Sequence, residues 1–96
     1  MSPKNKKKLN ILRKSLDKLD NNLLKIIKTR SKLVNKVLKL KEFKNEIVDK
    51  KRINFILKKI NTKSKKLRID PKITRRIWKN MIWSFIDYER RNFKKK

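Results

Sequence analysis

The sequence contains no cysteine, no histidine, no glycine and no alanine. Without cysteine there is no disulfide framework, no thiolate nucleophile and no sulfur-based metal site. Without histidine the usual acid/base of neutral pH and the commonest metal ligand are both missing. An enzyme built from this chain must work by other means. Without glycine the tight two-residue turns of β-hairpins lose their preferred residue, and no alternation of apolar and polar residues persists along the chain. Proline occurs twice, as Pro3 and Pro71. No window approaches the ~18 uninterrupted apolar residues that read as a membrane span. The basic start, Met1-Ser2-Pro3-Lys4, leads into no apolar segment of the signal-peptide kind, so a cytoplasmic protein without a membrane partner is expected.

What the chain does have is positive charge. Lysine and arginine number 33 against 8 acids, a net charge of +25 over 96 residues. Such a balance favours a polyanionic partner at first sight. Yet lysine supplies 25 of the cations, and they are spread along the whole chain instead of being gathered in one arm. The 12 isoleucines and 10 asparagines, set against no glycine or alanine, match what an AT-rich genome writes at permissive positions. Bulk charge alone therefore does not decide the function. A length of 96 residues allows one domain, and an apolar content of 36% leaves a lone chain little core, which favours association.

Helical periodicity is clear. Leu9, Leu12, Leu16, Leu19, Leu23, Ile26, Leu33, Val37 and Leu40 recur at three- and four-residue steps. Arg30 stands where this series calls for an apolar residue. A neighbouring stripe at seven-residue spacing reads Arg13, Asp20, Ile27, Val34 and Lys41. The pattern predicts a first helix from about residue 8 to about residue 43, after a basic, disordered segment 1–8. A break at Asn45 to Val48 precedes Asp49, a good N-cap for a second helix carrying Ile53, Ile56, Leu57 and Ile60 and fading at Asn61-Thr62. Lys63-Ser64-Lys65-Lys66 reads as a connecting loop. Asp70-Pro71 pairs a capping carboxylate with proline at the first helical position. The third helix then carries Ile73, Ile77, Trp78, Met81, Ile82, Phe85 and Ile86, and its stripe reaches Glu89. Residues 9–90 form the expected domain, and 91–96 a frayed basic tail.

A first helix of about 35 residues is ~50 Å long, more than two shorter helices of the same chain can cover. Pairing two such helices antiparallel would cover it. The expected fold is all-α, with three helices per chain in an intertwined antiparallel homodimer.

Most charged residues here read as solvated faces. Arg30, Lys41, Arg52 and Glu89 differ, because they lie on or directly beside apolar stripes, where an unpartnered charge is costly. Two readings stay open for them: long side chains snorkelling from the edge of a face, or a pocket between helices built for an anion. Arg30 and Lys41 are 11 residues apart, so they share a face with ~16 Å of axial separation and can reach one small ligand. Arg13 and Arg30 are ~25 Å apart by the same arithmetic, too far to grip one small molecule within a chain. In an antiparallel dimer, Arg13 of one chain can approach Arg30 of the other.

The run Leu12-Arg13-Lys14-Ser15-Leu16-Asp17-Lys18-Leu19-Asp20, followed by Leu23-Leu24, Ile26-Ile27, Arg30, Leu33-Val34, Val37 and Lys41, resembles the first helix of the all-α chorismate mutase family. Asp49-Lys50-Lys51-Arg52 resembles the opening of that family's second helix. Leu67 to Pro71, with Ile77-Trp78 and Met81-Ile82, resembles the start of its third. The resemblance covers about residues 9 to 90. It implies an intertwined dimer with two active sites, each completed by Arg13 of the partner chain, and the rearrangement of chorismate to prephenate on the route to phenylalanine and tyrosine. That reaction is unimolecular and pericyclic and needs no cofactor or metal, so the missing cysteine and histidine cease to be an obstacle. By resemblance, Arg13 and Arg30 would hold the two carboxylates, Lys41 the ether oxygen, and Arg52 with the backbone near Asp49 the hydroxyl end.

Three positions depart from the family pattern. Ile53 stands where a glutamate often holds the ring hydroxyl. Phe85 replaces a small polar residue. Glu89 aligns with a position, commonly glutamine, that donates to the ether oxygen. A carboxylate donates only when protonated, so an acid-leaning activity profile is expected; pairing of Glu89 with Arg90 or a nearby lysine is the plainer alternative. Ile53 and Phe85 also resemble residues of the isochorismate pyruvate lyases of the same fold. The Asp49-x-x-Arg52 opening favours the mutase. Two further readings stand beside the enzyme, a non-catalytic basic helical nucleic-acid binder and a regulatory relic of the fold. No recognition motif supports the former, so no specific nucleic-acid partner is expected.

Overall fold

The computed structural model describes residues 1–94, and Lys95 and Lys96 of the expected basic tail lie outside the described residues. The chain is all-α: α1 spans Pro3–Leu40, a short 3-10 turn Lys44–Glu46, α2 Lys50–Lys66 and α3 Pro71–Asn92. No strand occurs among the described residues. None of their helices is long and apolar enough to cross a membrane. Two compact units divide the chain, residues 1–33 and residues 34–96.

The first unit is helical from Pro3 onward. The expected disordered segment 1–8 is thus corrected: the helix begins five residues before the predicted start. Its cause is local. The Ser2 hydroxyl accepts from the Asn5 backbone N–H at 3.2 Å, and the Ser2 carbonyl accepts from Lys6 at 2.9 Å. Proline follows in the first helical position, where its missing N–H costs nothing. Along this unit Leu12, Leu16, Leu19, Leu23, Ile26 and Leu33 are all between 53% and 64% exposed. An apolar stripe this long, left open to water, is the signature of a face that another surface covers.

The second unit contains the core. Leu38, Ile47, Ile82 and Ile86 are buried, with Val48, Ile53, Ile56, Leu57 and Phe93 packed against them. Each fully buried aliphatic side chain contributes about 1.5–3 kcal/mol, so four of them make a thin core. Phe93 lies just beyond α3, so the apolar packing continues into the segment expected to fray.

Both predicted caps form. The Asp49 carboxylate accepts from the Arg52 backbone N–H at 3.0 Å, and that of Asp70 from the Lys72 N–H at 3.0 Å, with Pro71 at the first helical position. The first helix ends at Leu40, three residues short of the expected limit.

The segment Lys63–Lys66, expected to be a loop, is the last turn of α2. Ser64 makes it so. Its hydroxyl is buried and lies 2.6 Å from both the Ile60 carbonyl and the Thr74 hydroxyl. Either hydroxyl can donate to the other, with the Ile60 carbonyl accepting from Ser64 and the Pro71 carbonyl, at 3.4 Å, from Thr74 as the alternative acceptors. The result is a polar clip between α2 and α3. Beyond it the Ile69 N–H donates to the Ser64 carbonyl at 2.9 Å and the Arg68 N–H to the Lys65 carbonyl at 3.1 Å. These two bonds define a Schellman ending, whose left-handed position falls on Arg68 at φ 59°. Glycine ordinarily takes that position, and this chain has none. A side chain held there costs roughly 1–2 kcal/mol. Arg68→Gly is therefore expected to stabilise the protein by about 1 kcal/mol, read as a higher urea midpoint; an unchanged or lower midpoint would show that the arginine is not strained.

Candidate active site

In the second unit the structure brings two of the residues singled out in the sequence, Lys41 and Glu89, into contact. Lys41 follows the last turn of α1, its backbone N–H bonded to the Leu38 carbonyl at 3.1 Å. Glu89 lies on the inner face of α3, one turn after the buried Ile86, and is itself only 5% exposed. The Lys41 Nζ donates to Glu89 Oε1 at 3.2 Å. The two side chains are 18% and 7% exposed. They are separated by 48 residues in sequence, so only the packing of α3 beside the end of α1 brings them together. Glu89 thus pairs with Lys41, not with Arg90 or another surface cation on its own helix.

A carboxylate and an ammonium removed from water to this degree hold each other in place, because either alone is costly there. For chemistry the consequence is sharper. Glu89 accepts from Lys41 and partly offsets the field of its ammonium.

Asp49 and Arg52 meet through the backbone cap of α2 described above. The Arg52 side chain is exposed and its guanidinium carbon stands 5.4 Å from the centre of the Phe55 ring, one turn on. Lys59 approaches the same ring at 5.9 Å. Ile53 is partly buried and packs against the apolar core, so it presents an aliphatic surface where an acid would present oxygens. Phe85 is half-buried on α3, one turn before Glu89. In the first unit, Arg30 is half-buried and Arg13 is exposed, both on α1.

A cavity of about 440 Å³ opens beside Lys41, lined also by Asn35, Leu38, Lys39, Tyr88, Asn92 and Lys94. Sequence reasoning did not select these residues. Their signal was weak, since asparagine and lysine on exposed helical positions look like any solvated face.

The chain matches the family model for chorismate mutase type II along residues 12–90 and belongs to that family. No curated protein and no solved structure matches it.

Proposed function

We propose that this protein is a homodimeric chorismate mutase, converting chorismate to prephenate by positioning and electrostatics alone. The observation that carries the reading is the Lys41–Glu89 pair, two charges held nearly dry in a chain of this family. The rearrangement breaks one C–O bond and forms one C–C bond within a single molecule, with no group transferred to the protein. The protein's task is to fold a flexible dianion into a reactive chair and to stabilise the charge that grows on the departing ether oxygen.

In this reading Lys41 faces that oxygen. Arg30, with Arg13 from the partner chain, holds the two carboxylates, a role for which a planar guanidinium is suited. Arg52 and the backbone at Asp49 meet the hydroxyl end, while Ile53 and Phe85 form apolar walls that hold the ring without bonding it. The open Leu12–Leu33 stripe supports the dimer, since pairing two such helices would bury it and bring Arg13 to the other chain's site.

Glu89 pairs with Lys41, and a carboxylate there opposes the negative charge that develops on the ether oxygen. Glu89→Gln replaces it with an amide donor and is expected to raise kcat about tenfold at neutral pH. An unchanged kcat would exclude a role for this carboxylate.

Ile53 and Phe85 favour a second substrate, isochorismate, cleaved by a lyase of the same fold. One experiment addresses both: purified protein is given chorismate and isochorismate separately, and prephenate and salicylate are followed. Prephenate from chorismate supports the mutase. Salicylate alone would replace it with the lyase, and no product from either would end the enzymatic reading.

A further inference from the structure

Much of the chain's positive charge is scattered, but one part is ordered. On α2, Lys51, Asn54, Lys58, Asn61 and Lys65 recur at three- and four-residue steps and are all exposed. On α3, Lys72, Arg75, Lys79 and Trp83 do the same, and the Trp83 ring is 45% exposed. The helices run antiparallel through the Arg68 turn, so the stripe flanking the core on one helix lies beside the matching stripe on the other. The cleft shared by Asn54, Leu57, Lys58, Asn61 and Arg75 shows the two rows meeting. Packed helices stand about 8–10 Å apart, which sets the spacing of the two rows of cations.

No acid interrupts this face. Asp49 and Asp70 stand at the helix starts, their carboxylates bound to backbone N–H groups. Asp87, one turn beyond Trp83, pairs with Arg91 at 3.7 Å. Trp83 and Glu89 differ by six residues, about 120° around α3, so Trp83 points away from the Lys41–Glu89 pair.

We propose that this face of the α2–α3 hairpin binds single-stranded nucleic acid without sequence preference, its two rows of cations on the phosphates and Trp83 as a stacking platform for a base. Rows of cations with amides between them match a phosphate backbone, whose charges repeat regularly. An exposed indole beside such a row is the arrangement that retains single strands, because every base offers a π face. A membrane surface would ask for an aliphatic stripe to insert, and this face has none.

The test is fluorescence anisotropy of the full chain with labelled 20-nucleotide oligothymidylate and oligouridylate across a salt series. Two fourfold charge reversals of equal net change are compared, K58E/K65E/R75E/K79E on the face and K4E/K6E/K7E/K8E at the start of α1. The face variant is expected to bind at least 30-fold more weakly and to flatten the logarithmic salt slope by about 3, while the other changes affinity by less than about threefold. Trp83→Leu is expected to weaken binding about tenfold at an unchanged salt slope. Circular dichroism checks that each variant keeps its helix content, and Lys65→Glu and Lys79→Glu, each expected to weaken binding about threefold, replace the fourfold variant if it unfolds. Equal weakening by both fourfold variants would overturn the proposal in favour of unlocalised charge. So would retention of affinity by the face variant, or tighter binding of the native protein to phosphatidylserine vesicles than to either oligonucleotide.

Discussion

Lys41→Ala is expected to lower kcat for prephenate formation by about a thousandfold, because it removes the cation assigned to the charge that develops on the ether oxygen. The substitution also strands Glu89, a carboxylate left 5% exposed without its partner. Loss of activity and loss of stability would then be entangled. The double variant Lys41→Ala/Glu89→Gln separates them. A neutral amide no longer carries the cost of an orphaned buried charge, so the urea midpoint lowered in Lys41→Ala is expected to recover most of the way. The rate is expected to stay at the level of the single variant. Recovery of both would show that Lys41 serves to balance Glu89 and has no part in the chemistry. A single variant with native kcat would remove Lys41 from the site altogether.

Arg13→Ala and Arg30→Ala are each expected to abolish turnover, and mixing the two inactive proteins is expected to restore about a quarter of native activity. The fraction follows from two-fold symmetry. Random exchange of subunits makes half of the dimers mixed. In each mixed dimer one site receives Arg30 from one chain and Arg13 from the other, and its sister site receives neither. The proteins are unfolded together, refolded, and assayed with chorismate at saturating concentration. No recovery would mean that both arginines act from the same chain or that the chains do not associate. Turnover by either single variant at the native level would remove that arginine from the reaction. A monomeric mass for the native protein would leave the exposed Leu12–Leu33 stripe needing another cover.

Much of the fold is legible in the residues because it rests on local rules. Leucine and isoleucine at three- and four-residue steps define each helix, and the two carboxylates at Asp49 and Asp70 mark helix starts that form as expected. The start at Pro3 followed the same rule, with serine before proline, but the surrounding lysines made the segment look disordered. The turn at Ser64 could not be read locally. A serine among lysines resembles a loop, and what makes it helical is a buried hydrogen bond to Thr74, ten residues away across the hairpin. Arg68 in a left-handed conformation was hidden as well, since the residue that usually announces such a turn does not occur in this chain.

The candidate site divides along the same line. Arg13, Arg30, Lys41, Asp49, Arg52 and Glu89 stand out from sequence alone, because charge on an apolar stripe, or an acid in a capping position, breaks a pattern that can be counted. The family model matches along residues 12–90. Which charges are partners does not stand out in this way. The sequence left two readings for Glu89, a donor to the ether oxygen or a partner of Arg90 or a nearby lysine, and the folded chain sets it against Lys41 at 3.2 Å. Periodicity tells which side of a helix a residue occupies; only the packing of α3 beside the end of α1 decides what it faces there. Two charges that each read as a cost in sequence become, in the tertiary structure, each other's counterion.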